Sequence, residues 1–186
     1  MTTTITLDIL LDYSTDYFVE TGSFHGEAIT VALAAGIANI RSVDICSAYF
    51  EECKAKFIDN PTVHLYLGDS LLLLPAMIYG IAAPITFWLD AHDGNGPIAG
   101  IERAPLLSEL AIIGNHPVKS HVIIIDDIRL FGIGFWENVT YEKVMTALLT
   151  INPDYTVVVK DSAQYPNDII VAYLPKAIEQ ETIEYD

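Results

Sequence analysis

Basic residues are scarce in this chain of 186 residues: 9 Lys and Arg stand against 25 Asp and Glu, a formal net charge of −16. A surface of that sign repels polyanions, which argues against DNA or RNA as partners and leaves small molecules or neutral and cationic partners. Cysteine is nearly absent. Cys46 and Cys53, seven apart on an expected helix, make neither a disulfide framework nor a zinc pattern and read as buried thiols. No apolar run is long enough to span a bilayer, because Pro75, Gly80 and Pro84 break the stretch from Leu71 to Leu89 into a helix and a strand. The first residues carry no basic region and no extended apolar core, so no signal peptide is expected and the cytoplasm is the expected compartment. There is no Gly-Lys-Ser/Thr and no Gly-x-Gly-x-x-Gly, so a phosphate-gripping loop and a dinucleotide fingerprint are both missing.

What is present is a hydrophobic chain, 52% apolar, long enough for one domain with a sizeable core. That domain is expected over residues 1–176, with 1–15 as an N-terminal helix or lid and 177–186 as an acidic tail. Short apolar runs alternate with amphipathic segments. Strands are expected at Tyr17–Glu20, Ile40–Asp44, Val63–Leu67, Ile85–Asp90 and His121–Asp126, and a final pair at Tyr155–Lys160 and Asp168–Leu174. Helices are expected at Ile5–Tyr13, Gly26–Ala35, Ala48–Ile58, Ser70–Tyr79, Pro105–Ile113 and Tyr141–Leu149. Repeated strand–helix units predict an α/β fold of the doubly wound, Rossmann-like kind. Its sheet is mostly parallel with helices on both faces, and the final hairpin adds one antiparallel strand.

Ligands of such sheets bind beyond the carboxyl ends of the strands, where strand order reverses. Five strand ends here carry an acid: Glu20, Asp44, Asp69 just past the third strand, Asp90 and Asp126. Gly22 and Gly26 lie between the first strand and its helix, where glycine permits a tight turn and close approach to a ligand. Asp44 follows Gly22 by 22 residues, where an acid can accept both ribose hydroxyls; it could equally cap the next helix. Asp69, with Ser70, is placed for an adenine amino group or for a cap. Glu20 beside the loop suits a cationic group and disfavours pyrophosphate. A ligand with an ammonium and a ribose but no phosphate meets all of these, and S-adenosylmethionine is such a molecule.

The stretches Phe18-Val-Glu-Thr-Gly-Ser-Phe-His-Gly26, Ser42-Val-Asp-Ile45 and Leu67-Gly-Asp-Ser70 resemble the first three motifs of the class I S-adenosylmethionine-dependent methyltransferases. The resemblance runs over about Tyr17–Leu174 and implies a seven-stranded sheet with its last strand antiparallel. It also implies that Glu20 and the Gly22 region hold the methionine part, Asp44 the ribose and Asp69 the adenine. The cofactor-binding set is then Glu20, Thr21, Gly22, Ser23, Phe24, Gly26, Asp44, Ile45, Asp69, Ser70 and Asp90. The departure is the loop, where Phe24 and His25 stand between only two glycines.

A second constellation follows the fourth and fifth strands: Asp90 and His92, then Asp126 and Asp127. Three carboxylates brought together repel unless protonated or holding a cation, and hard oxygen ligands favour Mg²⁺. This part is similar to metal-dependent O-methyltransferases of the catechol and macrolide-sugar types. By that resemblance Asp90, Asp126 and Asp127 are metal ligands, and the metal binds two adjacent acceptor oxygens. His92 is the candidate general base, with Asp90 beside it as a catalytic candidate. Without a metal, Asp126 and Asp127 could cap the next loop and Asp90 could bind cofactor or substrate. Asp93 and Glu109 are secondary contributors. Arg129 is read as neutralising a carboxylate. The glycine-rich Asp93–Pro97 segment and the aromatic Phe131, Phe135 and Trp136 either line an acceptor pocket or serve packing. His25, His64, His116 and His121 are read as lining, solvated or capping.

The expected activity is methyl transfer from S-adenosylmethionine to a hydroxyl of a small molecule, a sugar or a phenol, with Mg²⁺ assisting. Two other readings remain: a methyltransferase-fold binding or assembly module without transfer, and a metal-dependent hydrolase. The shortness of the lid points to a homodimer in which a second subunit completes the site.

Overall fold

The computed structural model describes residues 3–92 and 100–175. The apolar runs form β1 (Tyr17–Thr21), β2 (Asn39–Asp44), β3 (Val63–Leu67), β4 (Thr86–Leu89), β5 (Val122–Ile125), β6 (Thr156–Lys160) and β7 (Ile169–Tyr173). Between them lie α1 (Leu7–Tyr13), α2 (Glu27–Ala34), α3 (Ser47–Lys56), α4 (Ser70–Ile78), α5 (Leu106–Gly114) and α6 (Tyr141–Ile151). All seven strands join one sheet in the order β3-β2-β1-β4-β5-β7-β6. The pairs from β3 to β5 are parallel. β7 runs against both β5 and β6, because the C-terminal hairpin folds back and slots its second strand inward. The chain winds outward from β1 to β3, then returns to lay β4 against β1, so strand order reverses between β1 and β4.

Alternation along each strand sends side chains to two separate cores. Val19, Phe87, Leu89, Ile123, Ile125, Ile170 and Ala172 pack under α4, α5 and α6. Phe18, Trp88, Val122, Ile124, Ile169 and Val171 pack under α1 and α2. Both faces of the central strands are therefore covered, the doubly wound, Rossmann-like arrangement that the strand–helix alternation predicts.

Several local expectations shift for identifiable reasons. α1 starts at Leu7, not Ile5, because the Thr6 hydroxyl caps it, accepting the Ile9 N–H. Ile5 and Leu10 are buried in one cluster across that cap, as a hydrophobic staple requires. Pro75 lies inside α4 and does not end it; burial of Leu74, Met77 and Ile78 holds the helix through the missing N–H. Cys46 precedes α3 and is partly exposed, whereas Cys53 is buried. His116 and His121 are neither solvated nor capping. They are buried and paired, with His121 Nε2 3.0 Å from His116 Nδ1 and the Ile85 N–H donating to His121 Nδ1 at 3.0 Å. His121 thus plugs the N-terminal end of the β4–β5 pair. Among the described residues no helix is long and apolar enough to cross a membrane.

Candidate active site

The loop after β1 is fixed from two sides. Gly22 and Ser23 both donate their N–H to the Val43 carbonyl, at 2.9 and 3.2 Å, tying the loop to the end of β2. Gly22 has φ +89, and a Cβ there would lie 2.8 Å from the Asp90 carbonyl oxygen. Glycine is thus required both for the conformation and for the contact with the end of β4. Phe24 is also left-handed, with φ 46, although it carries a side chain. That conformation aims its N–H at Asp44 Oδ2, 2.8 Å away. Its ring leans on Tyr49 and His25 at 4.7 and 4.0 Å, and His25 pairs with Glu52 at 2.8 Å.

Glu20 lies under this loop and is 1% exposed. The Ser42 hydroxyl donates to it, and the Ser23 hydroxyl lies 2.5 Å from that of Ser42. Burial pushes the Glu20 carboxyl up to about 8, against the hydrogen bond from Ser42. Glu20 is therefore protonated at neutral pH when nothing cationic lies beside it.

The next two acids have backbone duties. Asp44 accepts the Phe24 N–H on one oxygen and the Cys46 N–H, at 2.7 Å, on the other; Ile45 follows it, half-buried. Asp69 caps α4 through the Leu71 N–H at 2.8 Å and takes the Ile101 N–H at 2.6 Å. Gly100 lies so near that a Cβ would stand 2.7 Å from Asp69 Oδ2. Each carboxylate oxygen keeps a second lone pair, so capping and cofactor contact are not exclusive. The hydroxyl of Thr21, the last residue of β1, donates to Glu109 of α5 at 3.3 Å, and Ser70, the first residue of α4, lies beside the same carboxyl. Glu109 is 1% exposed, and burial lifts its carboxyl to about 7.

The second constellation gathers at the ends of β4 and β5. His92 Nε2 lies 3.0 Å from Asp127 Oδ2 and 4.0 Å from Asp90 Oδ1. Enclosure, then repulsion from Asp126 and Asp127, pushes the Asp90 carboxyl well above the usual carboxylate range. Asp126 accepts the Thr4 hydroxyl from the N-terminal segment, and its other oxygen is buried without a partner among the described residues. Burial and Asp127 lift it to about 7. Arg129 pairs with Asp127 at 2.5 Å and with Asp168, and its guanidinium covers the Tyr165 ring at 4.2 Å. This is the neutralising role that the sequence suggested. Trp136, buried, stacks on Phe131 at 5.9 Å and lies 5.7 Å from the His92 ring, so the aromatic segment packs as core beside His92.

Ligand atoms converge in two groups, each within 4.8 Å: Asp90, His92 and Asp127, and Asp126, Asp127 and Asp168. Asp90 and Asp126 thus share Asp127 as a neighbour rather than converging as one trio. Among the described residues four carboxyl groups crowd against the one guanidinium of Arg129, two of them pushed towards their neutral form by burial and by that crowding, and such a donor set fits a divalent cation. Asp93, the rest of the glycine-rich segment and residues 177–186 lie outside the described residues. Sequence reasoning undervalued Glu109 and missed Thr4 and Asp168. The signal for Glu109 was legible, since it shares the buried stripe of α5 with Leu106, Leu110 and Ile113. Thr4 and Asp168 carry no local mark.

No protein-family model and no curated protein matches the chain. Solved structures do. The SAH-bound methyltransferase PaMTH1 of Podospora anserina superposes with a TM-score of 0.61 at 11% identity, over 91% of this chain and 76% of its own. The O-methyltransferase TomG of Streptomyces achromogenes, in complex with SAM, gives 0.57 at 14% identity, over 91% and 78%. A putative rRNA methylase of Clostridium thermocellum gives 0.58 at 16%, over 90% and 94%. The chain therefore has the class I fold of S-adenosylmethionine-dependent methyltransferases.

Proposed function

We propose that this chain binds S-adenosylmethionine across the ends of β1, β2 and β4 and transfers its methyl group to a hydroxyl of a small molecule, a sugar or a phenol. The observation that carries the reading is one of placement. A loop pinned to the ends of β2 and β4, with a buried carboxyl beneath it, adjoins an Asp90–His92–Asp127 group at the next strand ends. The first half suits a cationic nucleoside and the second a proton acceptor. The net charge of −16 favours a small acceptor over RNA.

In this reading Glu20 meets the methionine ammonium, with Thr21, Gly22, Ser23, Phe24 and Gly26 forming the loop around it. Asp44 and Ile45 border the ribose, and Asp69 and Ser70 the adenine. His92 takes the acceptor proton. Asp127, as an acceptor 3.0 Å from Nε2, orients the ring. Asp90 and Asp127, with Asp126 behind them, would hold Mg²⁺, which when bound polarises the acceptor hydroxyl.

Calorimetry with S-adenosylhomocysteine, followed by methyl transfer to a panel of sugars and phenols with Mg²⁺ or chelator, tests it. Micromolar binding and turnover that falls at least about a hundredfold in His92→Ala are expected. No binding by folded protein would sink the cofactor reading. A second reading, a binding module without transfer, draws on the backbone bonds that already account for Asp44 and Asp69. Cofactor binding with no turnover on any acceptor would favour it.

A further inference from the structure

Glu109 is a buried acid that this mechanism leaves unused. It sits on the apolar stripe of α5, where a carboxyl is costly unless it serves something. Its Oε2 accepts the Thr21 hydroxyl at 3.3 Å, Ser70 lies beside the carboxyl, and among the described residues Oε1 is buried with no partner. Thr21 stands between Glu20 and Gly22, and its carbonyl accepts the Asp90 N–H at 3.1 Å. Ser70 follows Asp69, whose oxygens hold the start of α4 and the Ile101 N–H. One carboxyl therefore spans from the loop strand to the Asp69 turn. We propose that Glu109 is a positioning residue of the cofactor site, which holds the end of β1 against the start of α4 through the Thr21 hydroxyl and its place beside Ser70. The inference rests on the cofactor reading above.

The groups that face Glu109 are Thr21 from β1, Ser70 and Asp69 from the start of α4, and Glu102 from the segment before α5. Burial raises its carboxyl to about 7, and Asp69 and Glu102 add to the rise. It therefore changes charge near neutrality, and the ionised form is the stronger acceptor for a hydroxyl. Glutamine keeps one carbonyl acceptor and loses the titration; leucine keeps the bulk and loses both.

The test is S-adenosylhomocysteine affinity across pH 6 to 8 for the wild type, Glu109→Gln and Glu109→Leu, with thermal melts alongside. Loss of affinity by about tenfold is expected in Glu109→Leu, with Glu109→Gln near the wild type at pH 6. The wild type should gain affinity relative to Glu109→Gln as pH rises through 7; Glu20 titrates in both, so their difference isolates Glu109. Unchanged affinity in a folded Glu109→Leu protein overturns the proposal. So do parallel pH profiles for the wild type and Glu109→Gln, a comparison that stands even if the leucine variant fails to fold. A wild type that binds no S-adenosylhomocysteine overturns the cofactor reading itself, and this inference with it.

Discussion

Two glycines with the same backbone sign separate conformation from contact. Gly22 and Gly36 have φ +89 and +83, but a Cβ meets the Asp90 carbonyl at 2.8 Å in the first and nothing within 4 Å in the second. Gly36→Ala should cost only the left-handed preference, about 1 kcal/mol. Gly22→Ala adds the displacement of a strand end and should cost roughly 2–4 kcal/mol in urea denaturation. It should also weaken S-adenosylhomocysteine binding, which Gly36→Ala leaves alone. Equal costs for the two would mean that the loop does not press on β4. Glu20 offers a second test. Its carboxyl sits at about 8 because it is buried, and an ammonium placed beside it favours the ionised form. Binding of S-adenosylmethionine at pH 7 should therefore release a proton, seen as a dependence of the measured heat on the ionisation enthalpy of the buffer. Glu20→Gln should remove the Glu20 share of that release and leave a smaller one from Glu109; a release unchanged by Glu20→Gln would remove Glu20 from the ammonium site.

At the scale of elements, the caps differ in what they hold. Thr140 caps α6 through the Lys143 N–H alone at 3.3 Å, so Thr140→Ala should cost about 1 kcal/mol. Asp69 holds the Leu71 N–H and reaches across to Ile101. Asp69→Ala should cost more, roughly 2–3 kcal/mol, in the same denaturation series. The contrast shows what the sequence could reveal. The apolar runs at β4 and β5, the hairpin and the strand-end acids are patterns of neighbouring residues, and each is where it was expected. Insertion of β7 between β5 and β6 depends on register with a strand over forty residues earlier, which no local pattern records. Asp69 was legible as a cap because the cap is local, whereas Asp44 stops short of α3, which Cys46 precedes without a side-chain cap; the bonds of the two acids to Phe24 and Ile101 are tertiary. The left-handed Phe24 was hidden for the same reason: its conformation is imposed by Asp44 from another strand.

Across the whole molecule, protonation and charge push stability the same way. Glu20 and Glu109 titrate near 8 and 7 when folded and near 4.5 when exposed. The native state thus holds their protons through a window in which the unfolded chain has lost them, and stability falls as pH rises from about 4.5 to 8. His121 acts oppositely. Burial, with His116 and Lys119 nearby, lowers it to about 4 from 6.5, so its contribution is lost as pH falls from 6.5 to 4. Asp126, lifted to about 7, and Asp90, also raised, act with the two glutamates, so the carboxyls outweigh the one imidazole and the optimum lies on the acid side of neutrality. The net charge of −16 adds repulsion that also grows with pH, and salt screens it. Salt does not reach the buried carboxyls, which separates the two causes. Denaturation from pH 5 to 8 should show wild-type stability falling at both low and high salt. With Glu20→Gln and Glu109→Gln together, the fall at high salt should be shallower than in the wild type, because Asp90, Asp126 and His121 keep their own contributions. Wild-type stability that rises with pH over that range would mean that the two carboxyls are not held neutral in the fold.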